Sequence, residues 1–343
     1  MRTLVHAVLL ALPAMAWAQE APGCPAGPLE RCVAECAQRF PGEEHRSERF
    51  ACYDSAQAVT RPAGSETRSH LMRLWYDGGE HVSFVPYGQN YLLLTETNHP
   101  NSTPTSPNPA NRVPPSYELQ RDEAKFQFSM KALAFRDASF GRGGTNNIWF
   151  AYTQQSYWQV FDAGHSRPFR ESNYEPELIV SHPFAPESGG SLLGLRPGFL
   201  NAGLLHQSNG QSDPRSRSWN RAYLQLGLYR DFSSESGLAV LVRPWVRIPE
   251  KTGNDNNSNI SHFLGPGDLE VLYWTGQWTV SALARIRSIQ IDLSRRIWPT
   301  AGWGQARSIQ AHLQLFTGYG ESMIDYNQAH TTIGLGISVP YGI

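Results

Sequence analysis

The stretch KFQFSMKA, residues 125–132, alternates apolar and polar side chains without interruption. A second stretch, IQAHLQL at residues 309–315, repeats the pattern. A period of two is that of a β-strand with one apolar and one polar face. Short alternating segments of this kind, separated by turn-rich loops, continue to the end of the sequence and predict an all-β fold, a transmembrane antiparallel β-barrel. A soluble β-sandwich has the same alternation and remains the alternative on periodicity alone.

Three further features favour the barrel. Long polar loops at residues 99–116 and 253–259 contrast with tight connections elsewhere. The final alternating segment, residues 331–339, is expected to close against the first strand. Tryptophans that lie near predicted strand ends are interpreted as an interfacial girdle; they are Trp75, Trp149, Trp158, Trp219, Trp245, Trp274 and Trp278.

Net charge argues against one class of function, and the N-terminus indicates export. The 343 residues carry a net charge of -1, which argues against nucleic-acid binding. Residues 1–18 contain Arg2, an apolar run and the small-x-small sequence Ala16-Trp17-Ala18, and are predicted to be a secretory signal peptide. Beyond them, no segment approaches the roughly 18 apolar residues of a spanning helix. Any membrane insertion must therefore use strands.

All four cysteines precede the predicted barrel, at Cys24, Cys32, Cys36 and Cys52. In an exported protein they predict up to two disulfides, with three possible pairings, and a metal site is the alternative. We therefore divide the chain into a signal peptide at residues 1–18, a small helical disulfide-containing periplasmic extension at 19–68, and the barrel at 69–343.

The segment LLHQSNG, residues 204–210, places polar groups on an apolar face. His206 and Ser208 continue the face of Leu204, and Asn220 continues that of Leu224, so all three polar residues are predicted to point outwards to lipid. A symmetric hairpin about residue 213 places His206 opposite Asn220. The three side chains should then cluster outside the barrel, at the membrane edge.

A serine, a histidine and an orienting group form the constellation used for acyl transfer. Ser208 would attack an ester carbonyl, His206 would accept its proton, and Asn220 would orient the imidazole. A neutral asparagine suits this position, because a charge facing lipid costs up to about 2–4 kcal/mol near mid-bilayer. Ordinary interfacial polar residues are the alternative reading.

Six sequence segments are distinctive: HQSNG (206–210), SRSWNR (216–221), YTQQSYWQ (152–159), PFRESNYEPEL (168–178), RPW (243–245) and GYGESMIDYN (318–327). Together they resemble the outer-membrane phospholipase A family, calcium-dependent serine hydrolases on a twelve-stranded barrel. The resemblance runs from about residue 87 to the C-terminus. No G-x-S-x-G motif points to a soluble α/β-hydrolase instead.

The resemblance implies roles for particular residues. Ser208, His206 and Asn220 correspond to the catalytic triad, and the Gly210 N–H corresponds to the oxyanion hole. A Ca²⁺ cofactor is implied, bound by the backbone oxygen of residue 211, the Ser216 hydroxyl, and Ser166 from a second subunit. Gln211 stands where the family has an arginine, a change that a backbone ligand tolerates.

The resemblance also implies assembly and substrate. The Gln154 amide lies on the outward face and corresponds to a contact in an active homodimer. The implied activity is hydrolysis of acyl esters of membrane phospholipids and lysophospholipids, of the A1 and A2 types, in the bacterial outer membrane. Asp255 in the loop at 253–259 is interpreted as part of a turn, not as a second calcium site. A passive porin and a structural barrel without hydrolase activity are the alternative functions.

Overall fold

The computed structural model describes residues 35–41, 45, 48–49, 52, 75, 84–115, 118–139, 145–164, 169–184, 190–233, 235–251, 253, 255–299 and 308–340. Its contacts divide the chain into two units, Met1–Arg68 and Ser69–Ile343. In the first unit, residues 35–39 are helical, and Cys36 forms a disulfide with Cys52. This confirms that the extension contains a disulfide. Cys24, Cys32 and the predicted signal peptide at 1–18 lie outside the described residues.

Antiparallel strands make up the second unit. They are β1 (Phe84–Pro86), β2 (Asn90–Thr97), β3 (Asp122–Ser139), β4 (Thr145–Trp158), β5 (Phe169–Pro183), β6 (Arg196–Ser208), β7 (Ser218–Ser233), β8 (Ser236–Ile248), β9 (Gly267–Thr275), β10 (Trp278–Arg285), β11 (Ser288–Pro299), β12 (Ser308–Gly318) and β13 (His330–Val339).

The sheet closes on itself as a twelve-stranded barrel. Each strand from β2 onwards pairs with its neighbours in sequence, and β13 returns to pair with β2. The short β1 pairs with β3 just beyond the part of β3 that β2 covers, so β1 and β2 together occupy one interrupted strand position. Closure leaves no long unpaired edge, which is the requirement for strands in lipid. The predicted fold and the closing role of the last strand are both confirmed.

The barrel is apolar outside and polar inside. On β3, Lys125 and Lys131 are fully buried, whereas Phe128 is 51% exposed. On β12, His312 is buried and Leu313 is exposed. A water-soluble sandwich would bury the apolar face, because that burial drives its folding. The inverted pattern excludes the sandwich and fits strands that face lipid.

The prediction of a tryptophan girdle is wrong for most of the tryptophans, which lie in two apolar clusters inside the barrel. Trp158 and Trp278 are exposed as expected. Trp149, Trp219, Trp245 and Trp274 lie in the clusters because alternation along their strands places them on the inward face. Trp75 belongs to no strand and also lies in a cluster. One cluster, called the turn-end cluster because it lies at the end of the barrel with the tight turns after β7 and β9, contains Trp75, Trp149, Trp274 and Phe199. The other cluster, called the site-end cluster because it lies at the end of the barrel that contains His206 and Ser208, contains Trp219, Trp245 and Tyr326.

A polar cavity of about 190 Å³ lies between the two clusters, with Glu177, Arg243 and Asp268 in its wall. The connections that follow β2, β6, β8 and β12 lie at one end of the barrel and are longer than the tight turns after β7 and β9 at the other end. A short helix, Ile260–Leu264, belongs to this loop end. Within the described residues, no helix is long and apolar enough to cross a membrane.

Candidate active site

The hairpin of β6 and β7 brings the predicted residues to the loop end of the barrel. His206 pairs with Asn220, and Ser208 pairs with Ser218. This is the register predicted from the sequence. Leu204 on the same face is 54% exposed, while Leu205 and Trp219 on the opposite face are buried. The alternation of β6 and β7 therefore turns His206 and Ser208 outwards, where the apolar belt meets the loops.

A hydrogen bond joins His206 Nδ1 to Asn220 Oδ1 at 2.8 Å. A carboxamide oxygen only accepts, so this contact requires a proton on Nδ1 and leaves Nε2 as the basic nitrogen. Ser208 lies two residues further along the same face, about 7 Å along the strand, and is half-buried. The structure thus places an imidazole of defined tautomer and a serine hydroxyl on the same face of β6.

Residue 210 must be glycine for two independent reasons. Its φ is +61°, in the left-handed region that other residues disfavour. A Cβ at this position would lie 2.9 Å from Tyr174 Cε2. The backbone of Gly210 can therefore make a tight turn two residues after Ser208, close to the Tyr174 ring.

The side chain of Asn209 holds the loop at residues 209–217 together. Its Oδ1 accepts hydrogen bonds from the backbone N–H groups of Gln211 (3.3 Å) and Arg217 (2.9 Å), and its Nδ2 donates to the Arg215 carbonyl (2.8 Å). Asn209 is buried. One amide thus satisfies three backbone groups and orders the segment that contains Gly210.

Neighbouring loops hold the same segment from outside. The buried Arg217 donates to the carbonyls of Thr105 and Asn111 in the connection after β2. Asn256, in the connection after β8, donates to Ser216 Oγ at 3.0 Å and accepts from the Ser218 N–H at 2.9 Å. The site is therefore part of a layer made of three loops, which stabilises its backbone.

The predicted calcium ligands are only partly described. Gln211 is exposed, and Ser216 lies in the same loop, whereas Ser166 lies outside the described residues. Asp213 accepts from Asn111 at 2.6 Å, and Asp255 pairs with an arginine. The described part of the chain contains no group of three or more His, Cys, Asp or Glu side chains placed to bind a metal.

Gln154 lies at the same height on the barrel as Ser208. It pairs with Tyr174 of β5, and Tyr174 pairs in turn with Ser208. The two residues are thus two strands apart, about 10 Å. The Gln154 amide also joins a small polar ladder, accepting from Tyr152 Oη at 3.1 Å and donating to Ser156 Oγ at 3.2 Å.

Glu250 is a site residue that the sequence analysis missed. Its Oε1 accepts a hydrogen bond from Asn220 Nδ2 at 3.2 Å. Burial, followed by the charge of Asp255, raises the pKa of Glu250 above its ordinary value. A signal was available: Val246 and Ile248 alternate outwards on β8, and residue 250 continues that face just beyond the strand.

Comparison with known proteins identifies relatives of this chain. The family model described as Phospholipase A1 matches residues 76–339. An inferred phospholipase A1 of Neisseria meningitidis is 35% identical over 261 residues, which cover 72% of this chain and 63% of that protein. The Escherichia coli phospholipase A1 is 34% identical over 270 residues, covering 74% of this chain and 81% of that protein.

Solved structures agree with the sequence comparison. Outer membrane phospholipase A from Escherichia coli superimposes with a TM-score of 0.62 and 29% identity, over 75% of this chain and 98% of that one. The Salmonella typhi outer membrane phospholipase, solved as a dimer with bound calcium, also has a TM-score of 0.62, with 28% identity over 79% of this chain and 96% of that one.

Proposed function

The chain belongs to the phospholipase A1 family, and from this premise we propose that Ser208, His206 and Asn220 hydrolyse acyl esters of membrane phospholipids and lysophospholipids, as an A1- and A2-type hydrolase. Family membership makes the protein a phospholipase, and its barrel belongs to the outer membrane. The observation that carries the proposal is the hydrogen bond of 2.8 Å between His206 and Asn220 on the outward face. It orients an imidazole towards lipid, beside a serine.

The proposed mechanism depends on proton transfers to and from His206. Asn220 Oδ1 accepts the Nδ1 proton, so His206 Nε2 takes the Ser208 proton as Oγ attacks the ester carbonyl. The Gly210 N–H donates to the oxygen that becomes negative. His206 then returns its proton to the departing lysophospholipid oxygen. A water molecule, deprotonated by the same nitrogen, releases the fatty acid and restores Ser208.

The donor atoms of the loop at 209–217 fit a calcium ion. The Gln211 carbonyl and the Ser216 hydroxyl are hard oxygen donors of the type that Ca²⁺ prefers. Ser216 Oγ accepts one hydrogen bond from Asn256 and retains a second lone pair. We include Ser166 of the partner subunit as a further ligand. Bound calcium would supply positive charge beside the developing oxyanion.

Activation by dimer formation is part of the proposal. Calcium takes six to eight oxygens, and two protein ligands from one subunit leave most positions to water. Gln154 lies two strands from Ser208 at the same height. A contact through Gln154 would bring a second apolar surface beside the nucleophile and form a cleft for an acyl chain. The dimeric, calcium-bound Salmonella typhi relative supports this arrangement.

The packed interior argues against the passive porin. Trp75 stacks on Phe199 with ring centroids 4.4 Å apart in the turn-end cluster, and the site-end cluster packs Trp219 against Trp245. A water-filled pore would need a polar passage through both ends of the barrel. A structural barrel would have no need of an oriented imidazole facing lipid.

The decisive experiment measures hydrolysis of a phospholipid by purified protein in detergent micelles, with calcium and with chelator. We expect calcium-dependent release of fatty acid by the native protein. Ser208→Ala should reduce turnover by at least about 10³-fold and leave the barrel folded, since the side chain faces outwards. Folding is checked by circular dichroism and by electrophoretic mobility without heating.

Two results would contradict the proposal. One is native turnover in a folded Ser208→Ala protein. The other is a native protein that swells liposomes without hydrolysing lipid, which would favour the porin. His206→Ala serves as a second variant, because it removes the base and leaves the serine in place.

A further inference from the structure

The Asn220 side chain is held at both ends. Its Oδ1 faces His206 Nδ1 at 2.8 Å, and its Nδ2 donates to Glu250 Oε1 at 3.2 Å. Three side chains from three successive strands or their ends therefore form one chain of hydrogen bonds. The carboxylate at its far end has no part in the chemistry described above.

Glu250 reaches this position from the end of β8. Asn220 pairs with Ile248, the last residue of that strand, and Glu250 follows two residues later on the outward side. Val246 and Ile248 are exposed to lipid, whereas Glu250 is half-buried among the loops. A charge at this edge costs little compared with one at mid-bilayer. The edge can thus supply a carboxylate that the lipid-facing position of Asn220 disfavours.

An asparagine alone does not define a histidine tautomer. Its amide can rotate to present either an acceptor or a donor to the ring, and the ring can answer with either nitrogen protonated. A carboxylate only accepts. It therefore selects the NH₂ end of Asn220, which turns the amide oxygen to His206 and requires the proton on Nδ1.

We propose that Glu250 is a positioning residue for the hydrolysis, which sets the tautomer of His206 through Asn220. The inference rests on the proposed function of His206 and Ser208. Glu250 also places a negative charge near the imidazolium that forms when Ser208 is deprotonated. The site then resembles a serine–histidine–aspartate triad in its electrostatics, except that the carboxylate contacts Asn220 and not the histidine.

The charged neighbours of Glu250 are Asp255, Arg247 and His206. Arg247 lies on the same strand, but its guanidinium is occupied by Asp255 Oδ1 at 2.8 Å and the Ser258 carbonyl at 2.9 Å. Asp255 opposes ionisation of Glu250, whereas Arg247 favours it, as does His206 when protonated. Arg247 thus has its own partners, and Asn220 is the neighbour that donates a hydrogen bond to the Glu250 carboxylate.

The test exchanges the donor and acceptor at the two positions. Glu250→Gln should lower kcat about tenfold with little change in KM, because a charged hydrogen bond of this kind is lost. In this variant the acid limb of the pH profile of kcat should move to lower pH, since the His206 imidazolium loses a neighbouring negative charge. Asn220→Asp places two carboxylates in contact and should also lower kcat. The double variant restores a donor facing an acceptor, and should exceed Asn220→Asp by about tenfold.

Glu235→Gln is the matched control, because Glu235 is exposed in the turn at the opposite end of β8; its kcat and pH profile should equal those of the native protein. The inference is overturned if Glu250→Gln matches this control in kcat and pH profile, or if the double variant shows only the product of the two single losses. A native protein without hydrolase activity would instead overturn the proposed function.

Discussion

Gly210→Ala tests whether the backbone after Ser208 contributes to turnover. Gly210 has φ +61°, and an L-residue in this left-handed region costs about 1–2 kcal/mol. The new methyl would lie 2.9 Å from Tyr174 Cε2, closer than packed carbon atoms normally approach. The Tyr174 ring or the loop must therefore move by a few tenths of an ångström.

The loss of turnover should exceed the loss of stability. A global cost of about 1–2 kcal/mol leaves a barrel of this size folded. The Gly210 N–H, however, is proposed to donate to the oxyanion, and losing one such donor lowers kcat by about 10²–10³-fold. We expect a folded protein with kcat reduced by about 10²-fold, measured with phospholipid in micelles containing calcium.

Gly276→Ala separates backbone strain from the effect on the site. Gly276 has a similar φ of +55°, and a Cβ there meets no atom within 4 Å. It lies in the turn between β9 and β10, at the other end of the barrel. This variant should show a comparable loss of stability with native turnover. Native turnover in Gly210→Ala would refute the role assigned to this backbone position.

Three further predictions follow from the same structure. Asn220→Ala should lower kcat by about 10²-fold and leave measurable activity, because Ser208 and the base remain; a loss as complete as in Ser208→Ala would give Asn220 a direct chemical role. Glu321→Gln should destabilise the barrel by about 3–5 kcal/mol at pH 7, since the buried Lys125 keeps its hydrogen bond to Gln314 but loses the carboxylate at 2.7 Å that balances its charge. Burial opposes ionisation of Glu321, but the charges and hydrogen bonds of Lys125 and His330 together outweigh it and hold the pKa of Glu321 well below its ordinary value of 4.5. The stabilisation is therefore complete above about pH 4.5 and declines at lower pH, so denaturant unfolding should show a smaller difference between variant and native protein at pH 3. Calcium and a sulfonylated Ser208 should each strengthen the other's promotion of dimers in analytical ultracentrifugation, and Gln154→Ala should weaken both effects; a fully active, calcium-saturated monomer would contradict the coupling.

Much of the barrel is determined locally, by alternation along single strands. The pattern at residues 125–132 predicts which side chains face lipid, and the structure confirms it for Phe128 and Lys125. The register of His206 with Asn220 is equally local, because a short hairpin relates residues that are close in sequence. These features depend on the period of a strand and on one turn, and both are visible in the sequence.

Tertiary structure decided what depends on distant segments. Trp149 and Trp219 lie near strand ends as girdle residues do, yet they pack inside the barrel in clusters that combine residues of distant strands. The alternation of β8 assigns Glu250 to the outward side, but its contact with Asn220, 30 residues away, depends on the pairing of β8 with β7. Asn256 reaches Ser216 by the same route, through closure of β8 beside β7. The sequence by itself therefore determined the strands and the register of His206 with Asn220, because both arise from local periodicity. The contacts of Glu250 and Asn256 arise from strand pairing and loop packing, which bring together residues far apart in the chain.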